Sequence, residues 1–189
     1  MSQPRLGEQM VGAYLRLING CDLISYNQRS REEGQQVELD VLGVKSTHRR
    51  QSIYACEVVT HLNGSLYSGT PDEESWWSEF GNDSYQHSLE RLWHKFNADY
   101  DLLTEGFDED DEFHLQFWSP YVSQGYLTDG LAELQQQFDQ EHDEQIELVI
   151  NGDYADCIDE LRQKASETTK RYNDTAFRFL QILEHLRDD

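Results

Sequence analysis

Apolar residues recur along the chain with two periods, one typical of helices and one typical of strands. A spacing of three or four residues, as in Leu89, Leu92, Phe96 and Leu103, indicates the apolar face of a helix, whereas short apolar segments between polar turns indicate strands. The first pattern predicts five helices, over Glu8 to Ile18, Ser84 to Leu103, Thr128 to His142, Tyr154 to Ala165 and Asp174 to Arg187. The second predicts five strands, over Cys21 to Asn27, Val37 to Val44, Ile53 to Leu62, His114 to Val122 and Ile146 to Asn151.

The order of these elements predicts the fold class. A helix, three strands in a meander, a second helix and then alternating strands and helices favour an α/β fold with a mixed central sheet of about five strands flanked by helices. A chain of 189 residues is long enough for one substantial core. We therefore expect a single domain over residues 1–189, with residues 154–189 as a C-terminal helical extension.

The charge of the chain is strongly negative and unevenly distributed. It has 37 acidic and 15 basic residues, a formal net charge of -22. Residues 1–60 carry seven of each, so residues 61–189 supply the whole excess. The neutral or locally basic face formed by residues 1–60 can still approach a phosphate backbone. The acidic residues of the rest of the chain can form a solvated surface, or a surface that mimics DNA or binds a basic partner.

Other compositional features indicate an intracellular setting. No segment has the length of apolar sequence that a membrane helix needs, and the polar start is not of secretory type. The three cysteines, Cys21, Cys56 and Cys157, are odd in number and set among apolar residues, which favours free core thiols. We expect a cytoplasmic protein.

Two acidic residues fall on neighbouring predicted strands. Because side chains alternate along a strand, Glu38 and Asp40 share one face of the second strand, and Glu57 lies on one face of the third. If these strands are antiparallel neighbours, Asp40 and Glu57 converge, and two adjacent carboxylates repel each other unless a cation lies between them. Their hard oxygen atoms select Mg²⁺ or Mn²⁺, which can activate water and neutralise charge on a scissile phosphate.

The segments around these acids resemble the PD-(D/E)xK, or restriction-endonuclease-like, nuclease superfamily. The similar segments are Glu38 to Gly43 and Tyr54 to Val59, and small bacterial stand-alone members also resemble the chain at Tyr14 to Ile18, Cys56 to His61 and Trp118 to Pro120. The resemblance covers roughly residues 8–122. It implies a restriction-endonuclease-like core and a magnesium-dependent nuclease. It also implies that Asp40 and Glu57 bind the metal, with Glu8 or Glu38 completing the shell.

The chain departs from this pattern at the lysine of the Glu-x-Lys tripeptide, where it has Val59. Two residues could replace that lysine. His61 is predicted two pleats beyond Glu57 on the same strand face, and Lys95 is predicted about 60° outside the apolar arc of the following helix. We favour Lys95, because its position resembles superfamily members whose lysine has migrated to a neighbouring element. Without a replacement, the site would be inactive.

Two functions follow from these observations. The first is metal-dependent cleavage of DNA, with RNA as another substrate, in defence or repair, in which basic residues of the turns between the first strands bind phosphates. These residues are Arg29, Arg31, Arg49 and Arg50. The second is a catalytically inactive nuclease-fold protein whose acidic surface binds a basic partner or mimics DNA.

Overall fold

A computed structural model describes residues 3–29, 38–47, 50–108 and 110–187. The described helices are α1 (Leu6–Tyr14, continued by a π-helical turn over Leu15–Asn19), α2 (Asp83–Gly106), α3 (Tyr126–His142), α4 (Gly152–Ser166) and α5 (Thr175–Arg187). The described strands are β1 (Leu23–Arg29), β2 (Glu38–Ser46), β3 (Gln51–Val58), β4 (Glu112–Ser119) and β5 (Ile146–Ile150). Each predicted helix and strand has a counterpart in this set.

The five strands form one sheet in the order of the chain, β1-β2-β3-β4-β5. The first three strands are antiparallel to one another, and β4 and β5 continue the sheet in parallel with β3. The parallel pairs need crossover connections, and α2 and α3 lie on these connections. The predicted α/β class with a mixed five-stranded sheet flanked by helices is confirmed.

Helices cover both faces of the sheet. On one face, Leu89, Leu92 and Phe96 of α2 pack with residues of α3 and with Ile53 and Ala55 of β3. On the other face, apolar residues of α1 pack against Cys56, while α4 and α5 pack against α1 in a third cluster. The face that holds Ile53 and Ala55 also holds Glu57, because side chains two residues apart point the same way.

Helix α2 begins within one residue of its predicted start and ends three residues beyond its predicted end. The Asn82 side chain accepts hydrogen bonds from the backbone N–H groups of Ser84 (3.0 Å) and Tyr85 (3.2 Å), which satisfies donors that have no partner within the first turn. The helix then runs for 24 residues, about 36 Å, along the sheet. It is therefore a rigid support for any side chain that it directs toward β3.

The described part of the chain contains no helix that is both long and apolar enough to cross a bilayer. Its three cysteines are all free thiols: Cys21 and Cys56 are buried, and Cys157 is half-buried. The prediction of free thiols is confirmed, although Cys157 lies at the margin of the core.

Candidate functional site

Asp40 and Glu57 lie on adjacent antiparallel strands at the same end of the sheet. The register pairs Val41 with Cys56 and Leu42 with Ala55, so one further step along the two strands brings Asp40 opposite Glu57. The Asp40 carboxylate bridges the two strands, since its Oδ2 accepts a hydrogen bond of 2.9 Å from the backbone N–H of Val58. The two acids therefore converge as the strand alternation predicts.

Lys95 of α2 reaches both carboxylates. Its Nζ donates to Oε2 of Glu57 and lies 3.7 Å from Oδ2 of Asp40. The side chains of Lys95 and Asp40 are 15% and 17% exposed, whereas that of Glu57 is fully buried. The site is thus open to solvent at Asp40 and Lys95 and closed behind them at Glu57.

Val59, which takes the place of the lysine in the superfamily pattern, directly follows β3 and belongs to the core. Val59 is 5% exposed and packs in the cluster between the sheet and α2, and its N–H donates to the carbonyl of Trp118 at 2.9 Å. A lysine in that environment would bury its charge at a large cost in free energy. The cation is supplied by the neighbouring helix instead.

Asp99 is a fourth member of the cluster that the periodicity analysis did not identify. It lies one turn after Lys95, is 1% exposed, and is close enough to Glu57 for its charge to raise the pKa of that carboxyl group. The sequence contains a signal for it, since positions 92, 96, 99 and 103 form one line along the helix. The other three positions hold Leu or Phe, so position 99 places an acid in the apolar stripe.

The two innermost carboxyl groups have perturbed protonation. Burial raises the pKa of Glu57. The positive charge of Lys95 lowers this pKa, whereas the negative charges of Asp99 and Asp40 raise it further. Burial also raises the pKa of Asp99, to about 7, against the opposing charge of Lys95. Oε1 of Glu57 and Oδ2 of Asp99 are buried and have no hydrogen-bond partner among the described residues. Unpartnered buried oxygens are rare in folded proteins and call for an explanation.

Tyr67, in the long segment between β3 and α2, forms a wall of the site. Its backbone N–H donates to Oγ of Ser88 at 3.1 Å, and its carbonyl accepts from Oγ of Ser84 and Oγ of Ser88, both at 3.1 Å. Burial raises the pKa of its hydroxyl, where the charges of Lys95, Glu57 and Asp40 also act. Helix α2 therefore holds this residue beside the carboxylates.

Glu8 approaches the cluster from α1 on the other side of the strand end. It is 6% exposed, and its Oε2 accepts a hydrogen bond of 2.8 Å from the backbone N–H of Arg5. Burial raises the pKa of Glu8, the hydrogen bond from Arg5 opposes this, and the charges of Asp40 and Glu38 add to the increase. Glu38 itself is the first residue of β2, half-buried and 4.0 Å from Arg29. Glu8 thus lies within electrostatic reach of the predicted metal ligands and also caps its own helix.

A close contact brings α1 to this position. A Cβ atom at Gly7 would lie 2.3 Å from Cγ2 of Thr60, so the first turn of α1 approaches the chain after β3 more closely than any larger residue allows. This contact explains why Glu8 lies near a strand end that is distant in sequence.

The prediction that His61 shares the strand face of Glu57 is wrong. Strand β3 ends at Val58, and His61 is an exposed residue of the following coil. Beyond Val58, the N–H of Val59 still donates to the carbonyl of Trp118 in β4, and the following residues are coil. No ion pair or side-chain hydrogen bond of His61 is seen among the described residues, so its role as a replacement for the lysine stays a prediction.

The predicted phosphate-binding arginines do not form one group. Arg29 is the last residue of β1 and not part of a turn; it lies 4.0 Å from Glu38, near the site. Arg50 precedes β3 at its opposite end and pairs with Glu112 at 3.7 Å, about 23 Å along the strand from Glu57. It cannot contact a phosphate bound at the carboxylates. Arg31 and Arg49 lie outside the described residues.

The donor set suits a divalent cation that keeps most of its water. Within the described residues, no group of three or more His, Cys, Asp or Glu side chains is arranged to hold a metal. Magnesium, however, is commonly bound by one or two carboxylates, with water and substrate phosphate completing its shell. Asp40 and Glu57 provide such a pair, and Oε1 of Glu57 is a buried oxygen that has no hydrogen-bond partner in the described part of the chain. These residues fit Mg²⁺ or Mn²⁺ on that basis.

Comparison of the chain with protein-family models, curated proteins and solved structures found no match. The site therefore defines the chain as an α/β protein with a buried lysine–carboxylate cluster at the end of a mixed sheet. Its function has to be argued from that cluster.

Proposed function

We propose that this protein is a magnesium- or manganese-dependent phosphodiesterase that cleaves DNA, with RNA as the other candidate substrate, on a restriction-endonuclease-like core. The observation that carries the proposal is the convergence of Asp40, Glu57 and Lys95 at one end of the sheet. Two carboxylates can hold a metal that activates water and neutralises charge on a phosphate, and a lysine beside them can donate to a phosphate oxygen.

Each residue has a distinct task in this proposal. Asp40 and Glu57 would hold the metal, and Glu8 or Glu38 would complete its shell. When bound, the metal neutralises charge on the phosphate and lowers the pKa of a water molecule. Lys95 donates a hydrogen bond to the phosphate or to the attacking water. Burial alone would lower the pKa of Lys95, but Glu57, Tyr67 and Asp40 raise it, so the side chain enters the reaction as a cation.

The position of the site in the fold supports this assignment. Glu57 lies near the carboxyl end of β3, which is parallel to β4 and β5, and ligand sites of open α/β sheets lie outside the carboxyl ends of such strands. The parts that carry the chemistry come from rigid elements, β2, β3 and α2, which favours a fixed geometry.

A cleavage assay tests the proposal. Labelled single-stranded DNA, double-stranded DNA and RNA are incubated with Mn²⁺ or Mg²⁺ and either the natural protein, Glu57→Gln, or the control Glu105→Gln, which alters an exposed acid on α2. We expect cleavage by the natural protein and by the control, and a loss of at least 100-fold in Glu57→Gln. Equal cleavage by Glu57→Gln, or no cleavage of any substrate by the natural protein, would overturn the assignment.

The second candidate is a catalytically inactive protein of the same fold that uses its acidic surface to bind a basic partner or mimic DNA. Two observations favour it: Lys95 forms ion pairs with both Glu57 and Asp40, and the excess of acids lies in residues 61–189. Thermal unfolding separates the two functions. Mn²⁺ should raise the melting temperature of the nuclease but not of Asp40→Asn, whereas the inactive protein should respond to neither change and should bind a basic partner with steep salt dependence.

A further inference from the structure

Arg91 lies on α2 one turn before Lys95, at the solvent side of the cluster. Its guanidinium carbon is 4.4 Å from the centroid of the Tyr67 ring, within the range of a cation–π contact. The same Tyr67 hydroxyl experiences the charges of Lys95, Glu57, Asp40 and Arg91. Arg91 therefore belongs to the site spatially, although no sequence motif indicates it.

The position of Arg91 is fixed by the helix and not by a mobile loop. Tyr67 is bound through its backbone to Ser84 and Ser88, which lie about two turns and one turn, respectively, before Arg91 on the same helix. The ring on which the guanidinium rests is thus held by the element that also carries Lys95. An exposed arginine that is ordered in this way loses less side-chain freedom when it binds a ligand.

No ion pair joins Arg91 to a carboxylate within the part of the chain that the structure describes. Arg29 and Arg50, in contrast, each lie within 4.0 Å of a glutamate. The guanidinium of Arg91 keeps its donors for a ligand, because the contact with the Tyr67 ring uses its face and leaves its edges open.

The negative charge of the cluster explains why a further cationic side chain is needed to bind a nucleic acid there. Glu8, Asp40, Glu57 and Asp99 are four carboxyl groups beside one ammonium group, and a polyanion meets them on a chain whose formal charge is -22. A divalent ion offsets part of this charge, but it does not select or orient the strand. An arginine fork binds two oxygens of one phosphate group at once, which a lysine cannot do.

We propose that Arg91, resting on the face of Tyr67, binds a phosphate of the nucleic-acid strand adjacent to the one that is cleaved. The inference rests on the proposed phosphodiesterase function and adds the residue that positions its substrate. Four residues of helix separate Arg91 from Lys95, about 6 Å along the axis, which is comparable to the spacing of successive phosphates in a strand. Arg91 is a binding residue here and takes no part in the chemical step.

The test measures binding and cleavage separately. Binding of a fluorescent single-stranded 20-nucleotide DNA is followed by anisotropy at several salt concentrations, in a Glu57→Gln background that does not cleave. Arg91→Gln should weaken binding about fivefold to tenfold and reduce the slope of log K against log salt by about 0.7. Arg91→Lys should keep the slope but lose affinity, because it keeps the charge and loses the fork.

Two further variants distinguish a built contact from general electrostatics. Tyr67→Leu removes the ring but not the charge, so it should weaken binding while the salt slope stays the same. Arg171→Gln changes an exposed arginine between α4 and α5 and should leave both quantities unchanged. In the cleaving protein, Arg91→Gln should raise KM more than it lowers kcat.

The outcomes separate failure of this inference from failure of the proposed function. If the natural protein cleaves DNA and Arg91→Gln binds it with unchanged affinity and slope, the assignment of Arg91 is wrong and the nuclease stands. If Arg171→Gln loses as much affinity for DNA as Arg91→Gln does, the assignment of Arg91 is likewise wrong and the nuclease stands. If neither DNA nor RNA is bound or cleaved by the natural protein, both proposals fall.

Discussion

Replacement of Lys95 by methionine should destabilise the protein strongly, whatever reaction it performs. The change removes the only cation within 4.0 Å of Glu57 and Asp40 among the described residues. Glu57 is fully buried, and Asp99 beside it is 1% exposed. At an effective dielectric constant near 20, unit charges 4 Å apart interact by about 4 kcal/mol. Breaking a buried ion pair by removing one partner costs roughly 3–5 kcal/mol.

Urea unfolding at pH 7.5, followed by tryptophan fluorescence, measures this loss. We expect Lys95→Met to lower the free energy of unfolding by roughly 3–5 kcal/mol, which corresponds to a fall in melting temperature of about 10 °C for a chain of this size. The control is Lys170→Met, which replaces an exposed lysine near Tyr172 and should change stability by less than about 1 kcal/mol.

A double variant identifies the partner. Glu57→Gln removes the charge that Lys95 neutralises, so Lys95→Met combined with Glu57→Gln should cost less than the two single changes together, by about 2 kcal/mol. The loss in Lys95→Met should also shrink in acid, because Glu57 and Asp99 have raised pKa values and take up protons there. Additive single effects, or a Lys95→Met variant as stable as Lys170→Met, would refute the reasoning.

Three further changes test the surroundings of the cluster. Because burial raises the pKa of Asp99 from 3.8 to about 7, the folded state binds more protons than the unfolded state in this window, and stability should fall as pH rises through it. In urea titrations from pH 4 to 8, Asp99→Asn should show a smaller fall. Gly7→Ala should cost about 1–2 kcal/mol in urea unfolding through its clash with Cγ2 of Thr60, and Thr60→Ser, which lacks that atom, should restore most of it. Lys95→Met should bind Mn²⁺ more tightly in calorimetric titrations, because the competing cation is gone, even though its cleavage is lost.

Each of these expectations has a result that contradicts it. An Asp99→Asn variant with the same pH dependence as the natural protein would mean that this carboxyl group does not titrate in the folded state. If Thr60→Ser does not restore the free energy of unfolding that Gly7→Ala loses, the loss does not come from a clash with Cγ2 of Thr60. Weaker Mn²⁺ binding by Lys95→Met would show that the lysine supports the metal ligands and does not compete with the ion.

Elements with strong periodicity could be predicted from the sequence, because the hydrophobic effect acts on local patterns. The helix predicted from Ser84 to Leu103 is observed as Asp83–Gly106, and the strand predicted from Val37 to Val44 is observed as Glu38–Ser46. The third strand was predicted to reach Leu62 but ends at Val58. Its apolar pattern continues through Val59 into a segment whose direction depends on contacts with α1 and α2, and a single sequence does not reveal those contacts.

From residue spacing, the sequence predicted only those members of the candidate site that lie close together because side chains alternate along two paired strands. Asp40 and Glu57 come together because β2 and β3 are joined by a short connection and pair in register. Tyr67 and Arg91 become neighbours because two serines of α2 bind the backbone of a segment without regular structure. Nothing in the spacing of these residues indicates that contact, since it depends on the path of the chain between residues 59 and 82.

Val59 and Lys95 show that sequence spacing does not reveal which element brings a lysine to the two carboxylates. At position 59, the strand has already turned its side chain into the core between sheet and helix, where an ammonium group would be costly. Helix α2 covers the same face, so a lysine on it reaches the carboxylates from the opposite side of that core. The requirement is the position of one nitrogen atom relative to two carboxyl groups, and in this protein α2 satisfies it.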